Sequence, residues 1–305
     1  MKFIKRILIV PSLVMTLVYA HGDESALVFQ TDFGLRDDAV AAMKGVAFGI
    51  SPTLKQFDLT HEIQPYNVWQ AAYRLQQAAP YWPTGTVFVS VVDPGVGTER
   101  RAVVLKSKSG HYFVTPDNGT LTFVADSLGI EELREIDVAR HRRPGSEASH
   151  TFHGRDVFAL TGAELASGKM QLVEVGRKLP AAIVSIPHQR AELDAGVLKG
   201  CLPVLDERYG NVWSNIEKPL FDQLQPRFGD EFAVRVFRKR RLVYSGRLPF
   251  MASFGSVEKG KPLLYLNSLL AVSLALNQGD FARQHGIQAG PEWSVEIRKL
   301  SRRKR

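Results

Sequence analysis

The chain has 305 residues, of which 45% are hydrophobic and 23% charged, so it is long and apolar enough to fold as about two globular domains. Its formal net charge of +8 comes from the two ends. Nine basic residues and no acid lie within residues 1–20 and 298–305, and subtracting these nine charges leaves −1 for the rest. The nearly neutral body argues against a nucleic-acid-binding protein. The single cysteine, Cys201, excludes an internal disulfide and a Cys-rich zinc site.

The first twenty residues have the order of a secretory signal peptide. Three basic residues are followed by an apolar run over residues 7–17 and by the small residue Ala20. We expect cleavage after Ala20, which makes residues 1–20 a signal peptide and the mature protein periplasmic or secreted. The run is short for a membrane-spanning helix, and an uncleaved anchor is the alternative.

After this leader, short apolar runs alternate with helical patterns. In chain order, the expected elements are strand 26–30, helix 36–48, strand 54–59, helix 68–79, strand 87–92, strands 102–105 and 112–114, helix 121–128, strand 133–136 and helix 157–165. Strands 102–105 and 112–114 are close enough in sequence to form a hairpin. The alternation predicts a mostly parallel sheet in an N-terminal α/β domain of residues 21–182.

Beyond Gly168 the pattern changes to short strands separated by turns. The expected strands are 196–205, 211–216, 232–237, 241–245 and 263–266. We therefore expect a linker over residues 183–195 and a mostly β domain over residues 196–305, which ends in a basic tail. The basic run Arg238–Arg240 is expected at an exposed hairpin tip, as a solvated charge run rather than a nucleic-acid patch.

Two predicted strands of the N-terminal domain end in a carboxylate. The buried strand 87–92 stops at Asp93-Pro94-Gly95, and a Gly-Val-Gly loop and Arg100 follow. Asp32 closes the first strand in the same way. In open α/β sheets ligands bind outside the carboxyl ends of the strands, and a carboxylate there can accept two hydrogen bonds from sugar hydroxyls. A surface turn with an Asp cap is the alternative at Asp93, and helix capping is the alternative for Asp37 and Asp38.

Three further stretches carry polar side chains in patterns typical of binding sites. Thr151 to Asp156 places Phe152, His153 and an arginine at a helix N-terminus, where free N–H groups favour anions. Asp206 to Asn215 combines an acid, two aromatics and amides, which suits an adenine ring. Leu266-Asn267-Ser268 offers an amide and a hydroxyl at a strand end. A structural histidine and ordinary turn chemistry remain the alternatives.

Taken together and in order, these motifs resemble the S-adenosyl-L-methionine hydroxide adenosyltransferase family, kin of the fluorinases and chlorinases. The matching stretches are Thr31-Asp32-Phe33-Gly34 with Asp37-Asp38, Val92-Asp93-Pro94-Gly95-Val96-Gly97 with Arg100, Pro116-Asp117-Asn118-Gly119, Thr151-Phe152-His153-Gly154-Arg155-Asp156, Tyr209-Gly210-Asn211-Val212-Trp213 and Leu266-Asn267-Ser268. They cover nearly all of the chain after the leader.

The resemblance implies an α/β fold class with an N-terminal, mostly parallel α/β sandwich domain and a C-terminal, mostly β barrel-like domain. It also implies a homotrimer that holds a small-molecule substrate between neighbouring subunits. The implied reaction is hydrolysis of S-adenosyl-L-methionine to adenosine and L-methionine, by attack of water or hydroxide at the ribose 5′ carbon. The hydroxide-donating triad falls on Asp93, Arg100 and His153, and no metal or cofactor is expected.

The substrate-binding residues that the resemblance implies come from both domains. Asp32 matches the ribose carboxylate, Asp37 and Asp38 match acids near the nucleoside, and Tyr66 matches an aromatic residue against the substrate. Asp206, Asn211 and Ser268 match the positions that hold the methionine amine, the adenine edge and the methionine carboxylate. Phe152, Tyr209 and Trp213 complete the expected set.

The chain also departs from its halogenating relatives. It has Asp93-Pro94-Gly95 where they carry a hydroxyl-rich loop, Gly154 where they carry a serine, and Leu269 where some carry an arginine. A carboxylate at position 93 would repel a halide, which indicates water as the nucleophile. Two other classes remain open. One is a metal-dependent hydrolase with Asp32, Asp37, His61, Asp93 and His153 around a cation. The other is a non-catalytic periplasmic nucleoside-binding protein.

Overall fold

The computed structural model describes residues 25–301. The predicted signal peptide of residues 1–20 and the last four basic residues lie outside the described part. None of the helices within residues 25–301 is long and apolar enough to cross a membrane.

A seven-stranded sheet forms the centre of the N-terminal half. Its strands are β1 (Leu27–Thr31), β2 (Gln56–Thr60), β3 (Val87–Val91), β4 (Ala102–Ser107), β5 (Tyr112–Pro116), β6 (Ile130–Glu135) and β7 (Lys178–Leu179). The order across the sheet is β2-β1-β3-β5-β4-β6-β7. The first four strands in this order, β2, β1, β3 and β5, pair in parallel, as predicted. In contrast, β4 pairs antiparallel with both β5 and β6, and β6 pairs antiparallel with β7. The sheet is therefore mixed, because the short β4–β5 turn allows only a hairpin.

Helices cover both faces of this sheet. They are α1 (Ala39–Ile50), α2 (Val68–Ala78), α3 (Thr122–Leu128) and α4 (Leu160–Ala166), the last preceded by a π-helical turn over Gly154–Ala159. Side chains of α1 and α4 pack against one face and those of α2 and α3 against the other. Because successive strand residues point to opposite faces, Leu27 and Phe29 belong to the first core and Val28 to the second. The expected α/β sandwich is confirmed.

Two antiparallel sheets make up the C-terminal half. Their strands are β8 (Glu192–Asp194), β9 (Val197–Leu202), β10 (Val204–Asp206), β11 (Asn211–Glu217), β12 (Glu231–Arg238), β13 (Arg241–Pro249), β14 (Pro262–Leu266), β15 (Ala271–Leu276) and β16 (Gly290–Lys299), with the short helices α5 (Lys218–Phe221) and α6 (Phe281–His285). The sheet orders are β13-β12-β16-β9-β8 and β10-β11-β15-β14. One apolar core lies between them, and a bridge from Phe250 to Leu264 links their edges. The predicted mostly β, barrel-like character is confirmed.

Residues 25–301 also contain four short 3₁₀ turns. They are Ala79–Tyr81, Leu172–Glu174, Asp222–Leu224 and Phe254–Ser256.

The structure corrects the sequence analysis at the C-terminus. Arg298 and Lys299, which were assigned to a solvated tail, belong to β16 and pair with β12. The ammonium group of Lys299 lies 2.8 Å from the buried carboxylate of Asp230. The apolar side chains Trp293, Val295 and Ile297 alternate with polar ones and are buried, which is the pattern of a strand with one face on a core. The charged composition of this stretch concealed that alternation.

Contacts between the two halves run mainly through α2. The Trp69 indole N–H donates to the Pro203 carbonyl at 2.8 Å, and the Gln70 amide donates to the Glu207 carboxylate at 2.7 Å. Cys201 is buried in the same apolar cluster as Trp69 and Tyr73. Burial raises the pKa of the Cys201 thiol to about 12, so its side chain acts here as a small apolar group.

Candidate active site

Asp93 and Arg100 form a buried ion pair just beyond the carboxyl end of β3. The Arg100 Nε–H donates to Asp93 Oδ1 at 3.1 Å and Oδ2 at 3.0 Å, and Nη2 donates to Oδ2 at 2.6 Å. The two side chains are only 5% and 11% exposed. The loop returns on itself at Gly97, which has φ +77°; a Cβ there would lie 2.9 Å from the His150 carbonyl oxygen. This loop therefore needs glycine at position 97 to bring Arg100 back to Asp93.

His153 lies against the same guanidinium. Arg100 Nη2 is 3.0 Å from His153 Nδ1, and because a guanidinium can only donate, Nδ1 is the acceptor. The proton of the neutral imidazole is then on Nε2, which is buried and has no hydrogen-bond partner among residues 25–301. Burial lowers the pKa of His153, and the positive charges of Arg100 and Arg142 lower it further. His153 is therefore held neutral as an acceptor for Arg100.

Arg100 keeps one end of its guanidinium free of protein partners. Nε and Nη2 are used by Asp93 and His153, whereas Nη1 donates no hydrogen bond to any residue in the described range. The ring of Phe158 lies under the guanidinium, with its centroid 5.2 Å from Arg100 Cζ. This geometry fixes the plane of Arg100 and leaves two N–H groups for a small polar partner.

A cavity of about 290 Å³ opens beside this group. Its lining residues are Asp32, Phe33, Pro65, Tyr66, Val91, Asp93, Val96, Thr151, Phe152, His153 and Gly154. Thus Asp32, Tyr66 and Phe152, which were predicted from separate stretches, lie around the same cavity as Asp93 and His153. Asp32 Oδ2 accepts the backbone N–H of Tyr66 at 2.8 Å. Tyr66 has φ +67° and is 73% exposed, a strained conformation of the kind that clusters at functional sites.

Asp37 and Asp38 lie apart from the lining of this cavity, at the start of α1. Asp37 Oδ1 accepts the backbone N–H of Ala39 at 3.1 Å, and Asp38 occupies the N-cap position. Both side chains are exposed. Asp37 thus contacts the first N–H of the helix, whereas Asp38 makes no side-chain capping hydrogen bond.

The remaining predicted substrate residues line a second pocket, of about 810 Å³, on the C-terminal half. They are Asp206, Tyr209, Asn211, Trp213 and Ser268. Asn211 is nearly buried and its amide donates to Asp206 Oδ2 at 3.1 Å. This second pocket shares no lining residue with the 290 Å³ cavity. In one chain, therefore, the predicted site residues fall into two separate groups.

The five side chains considered for a cation do not converge. Within residues 25–301, no three or more His, Cys, Asp or Glu side chains are grouped so that they could hold a metal ion. His61 is directed at Thr31 and Asp58, and His153 Nδ1 is taken by Arg100.

Several residues that line the two pockets were not predicted from the sequence. Phe33 stands in a quoted motif but was given no role, and its ring lies edge-on to Phe152 at 5.9 Å. Phe254 and Tyr265, which line the larger pocket, carry no local motif. The positions of these two side chains depend on the packing around β14, and the local sequence has no pattern that indicates this packing.

The fold is that of a two-domain α/β protein, with an α/β half of three layers and a β half. Its candidate active site is the Asp–Arg–His group at the end of a strand. The family model of the SAM hydroxide adenosyltransferase N-terminal domain matches residues 27–176, and that of the C-terminal domain matches residues 200–294. The chain belongs to the SAM hydroxide adenosyltransferase family.

Named relatives and a solved structure agree with this assignment. The chain is 35% identical over 268 residues to the (R)-S-adenosyl-L-methionine hydrolase of Salinispora tropica, covering 88% of this chain and 96% of the relative. It is 34% identical over 251 residues to the enzyme of the same name from Methanocaldococcus jannaschii, with 79% and 84% covered. A fluorinase of an Actinoplanes species is 29% identical over 289 residues, with 87% and 95% covered. A crystal structure of an uncharacterized conserved protein from Thermotoga maritima has a TM-score of 0.80 and 36% identity, covering 89% of this chain and 99% of that one.

Proposed function

We propose that this protein hydrolyses S-adenosyl-L-methionine to adenosine and L-methionine. The observation that carries the proposal is the buried Asp93–Arg100–His153 group beside a cavity that Asp32 also lines. The family assignment and relatives named as hydrolases of this substrate support it.

The proposed reaction is a displacement at the ribose 5′ carbon. A water oxygen attacks this carbon, the carbon–sulfur bond breaks, and its electron pair goes to sulfur, so that the sulfonium leaves as neutral methionine. The water gives up one proton and becomes the 5′ hydroxyl of adenosine. Because the leaving group is already good, the protein has mainly to orient the water and stabilise the oxygen as it loses its proton. Positioning and electrostatics of this kind contribute several kcal/mol.

We assign these tasks to the atoms that remain available. The free Nη1 of Arg100 would donate to the attacking oxygen. Asp93 Oδ1 accepts only the longer Nε–H contact, which leaves it a lone pair to orient the water and take its proton. His153 holds Arg100 in place through Nδ1, so its role is to position Arg100. A role for His153 in accepting or relaying the proton is disfavoured, because its Nδ1 is already occupied by Arg100.

We also propose that the complete site forms between subunits of a homotrimer. The cavity beside Arg100 is small, and the pocket with Asp206 and Asn211 is separate from it. A substrate with a nucleoside and an amino-acid part requires both sets of groups. A head-to-tail ring would bring the first set of one chain to the second set of its neighbour.

The cellular location is a proposal that rests on the leader alone. We infer export to the periplasm or the medium, with a mature chain that starts after Ala20. An exported enzyme would meet a substrate that is made in the cytoplasm only after its release, which would make scavenging its role.

Incubation of purified protein with S-adenosyl-L-methionine in ¹⁸O water tests the reaction. Adenosine and methionine should form without added metal and in the presence of a chelator, with ¹⁸O in the 5′ hydroxyl. Retention of unchanged ligand would identify a binding protein, and activity that is lost in chelator and restored by a divalent ion would identify a metal-dependent hydrolase. Unlabelled adenosine would overturn the proposed displacement.

A further inference from the structure

A chain of four polar side chains begins at Thr31, the residue before Asp32, and links β1 to β2 and α1. Thr31 Oγ1 lies 2.8 Å from His61 Nδ1, and His61 Nε2 lies 3.0 Å from Asp58 Oδ1. Lys44 completes it by donating to Asp58 Oδ2 at 2.6 Å. Thr31 and His61 are 0% and 3% exposed, whereas the side chains of Lys44 and Asp58 are 36% and 39% exposed, so the chain runs from the interior of the domain to its surface.

The direction of each hydrogen bond follows from the chemistry of the groups. Burial raises the pKa of Asp58, but the hydrogen bonds from Lys44 and His61 outweigh it, and the pKa lies below its usual value. Asp58 is therefore an acceptor, so His61 Nε2 carries a proton and donates it, and Nδ1 of the same ring is bonded to the Thr31 hydroxyl. Thr31 Oγ1 in turn accepts the backbone N–H of Phe33 at 3.2 Å. The order of groups is that of a hydrolase triad, but a fully buried Thr31 cannot reach a substrate.

An irregularity in the sheet makes this chain possible. Phe29 is paired with Asp58, but the next residue, Gln30, is paired with Thr60, so β2 contains one extra residue. In a regular strand, residues three apart point to opposite faces. The extra residue brings Asp58 and His61 to the same side. Bulges of this kind are over-represented next to active sites.

The chain ends on the turn that carries Asp32. Besides its side-chain contact to Thr31, His61 accepts the backbone N–H of Gly34 through its carbonyl at 2.8 Å. The turn from Thr31 to Gly34 is thus fixed at both ends by one residue. Between these two contacts lie Asp32 and Phe33, which both line the 290 Å³ cavity.

We propose that His61 is a positioning residue, which sets the Asp32 carboxylate for the substrate through the Thr31 hydroxyl. The proposal rests on the proposed function, in that Asp32 is taken to bind the nucleoside. It predicts that loss of the Thr31–His61 link weakens nucleoside binding while the chemical step, which depends on Arg100, is preserved.

Three substitutions separate this role from a merely structural one. His61→Gln keeps a donor near the place of Nε2 but loses the contact to Thr31, and Thr31→Val removes the hydroxyl at nearly constant volume. Both should raise the KM for S-adenosyl-L-methionine and the Kd for adenosine about tenfold, with kcat within about twofold of wild type. His61→Asn keeps an acceptor near the place of Nδ1 and should restore most of the binding.

His111→Gln is the matched control. His111 is 5% exposed and bonded to Ser109 and to the Trp82 carbonyl, at the opposite end of the strands. This variant should lower thermal stability and leave KM unchanged. Unchanged KM and Kd in both His61→Gln and Thr31→Val would overturn the positioning role, as would a loss confined to kcat.

A measurement on the unmodified protein covers the case in which the variants do not fold. In ¹⁵N-histidine NMR, His61 should show a proton on Nε2, and its signals should shift when adenosine is added. Signals that do not respond to adenosine would overturn the inference. A wild-type protein that neither turns over S-adenosyl-L-methionine nor binds adenosine would instead refute the proposed function, and this inference with it.

Discussion

Arg100 donates from a single nitrogen, Nη2, both to Asp93 Oδ2 at 2.6 Å and to His153 Nδ1 at 3.0 Å. The guanidinium is thus clamped between a carboxylate and a neutral imidazole that comes from a segment 53 residues further along the chain. A lysine could not reproduce this planar, forked arrangement, because its ammonium group is a single point of charge.

Arg100→Lys should therefore reduce kcat about 10²- to 10³-fold, the effect of removing one preorganised donor to a developing negative charge. The Kd for adenosine should change little, since in the proposed reaction Arg100 contacts the attacking water and not the nucleoside. Turnover assays and calorimetry measure the two quantities. Arg101→Lys is the control, because Arg101 pairs with Asp117 instead and its replacement should leave kcat unchanged. Equal losses in the two variants would contradict the role of Arg100.

Substitutions at His153 distinguish an orienting role from a proton-accepting one. His153→Asn retains an acceptor for Arg100, whereas His153→Leu leaves that N–H without a partner. A hydrogen bond to a charged group is worth about 1.5–3 kcal/mol, so the Leu variant should lose about 10- to 100-fold in kcat and the Asn variant much less. If both variants were equally impaired, His153 would be the proton acceptor.

The lowered pKa of His153, due first to its burial and then to Arg100 and Arg142, predicts a pH dependence. The folded protein keeps His153 neutral at pH values where the unfolded chain, with a histidine pKa of about 6.5, already binds a proton. The free energy of unfolding should therefore decrease as the pH falls below about 6.5. Urea denaturation of wild type and His153→Asn at pH 7.5 and 5.5 measures it, and the variant should lose less stability over this interval. A larger loss of unfolding free energy in the variant than in wild type would contradict this prediction.

Mixed oligomers test whether the site is shared between chains. Arg100→Ala damages the cavity of the N-terminal half, and Asn211→Ala damages the pocket of the C-terminal half. Co-expression of the two variants should produce trimers in which about one quarter of the sites have both halves intact, with about one quarter of wild-type activity. Co-expression of Arg100→Ala with His153→Leu is the control and should give no more activity than the His153→Leu parent alone. Activity no higher than that of either parent would place the whole site within one chain.

Cell fractionation tests the proposed location. The protein should be found in the periplasm or the medium with His21 as its first residue, because the leader has the order of a cleavable signal. Edman or mass-spectrometric sequencing of the N-terminus gives the answer. An intact Met1 in the cytoplasm would contradict export and would place the enzyme with its expected substrate.

Local sequence patterns determined most elements of the N-terminal half. The buried run Val87–Val91 is bounded by a Pro-Gly turn, and α2 is preceded by the N-cap residue Asn67, whose side chain accepts the N–H of Gln70. Such signals act over a few residues and can be recognised without the fold. The order of the motifs likewise indicated the family, and it predicted Asp93, Arg100 and His153 as site residues.

The tertiary structure decided everything that depends on partners distant in the chain. β16 became a strand because β12 and β9 pair with it on its two sides, although its last two residues, Arg298 and Lys299, had been assigned to the basic tail. The tautomer of His153 follows from the contact with Arg100, and the Thr31–His61–Asp58 chain follows from one extra residue in the register of β2. A hydrogen bond depends on distances of a few tenths of an ångström. Those distances are set by strand pairing and packing between segments that the sequence keeps apart.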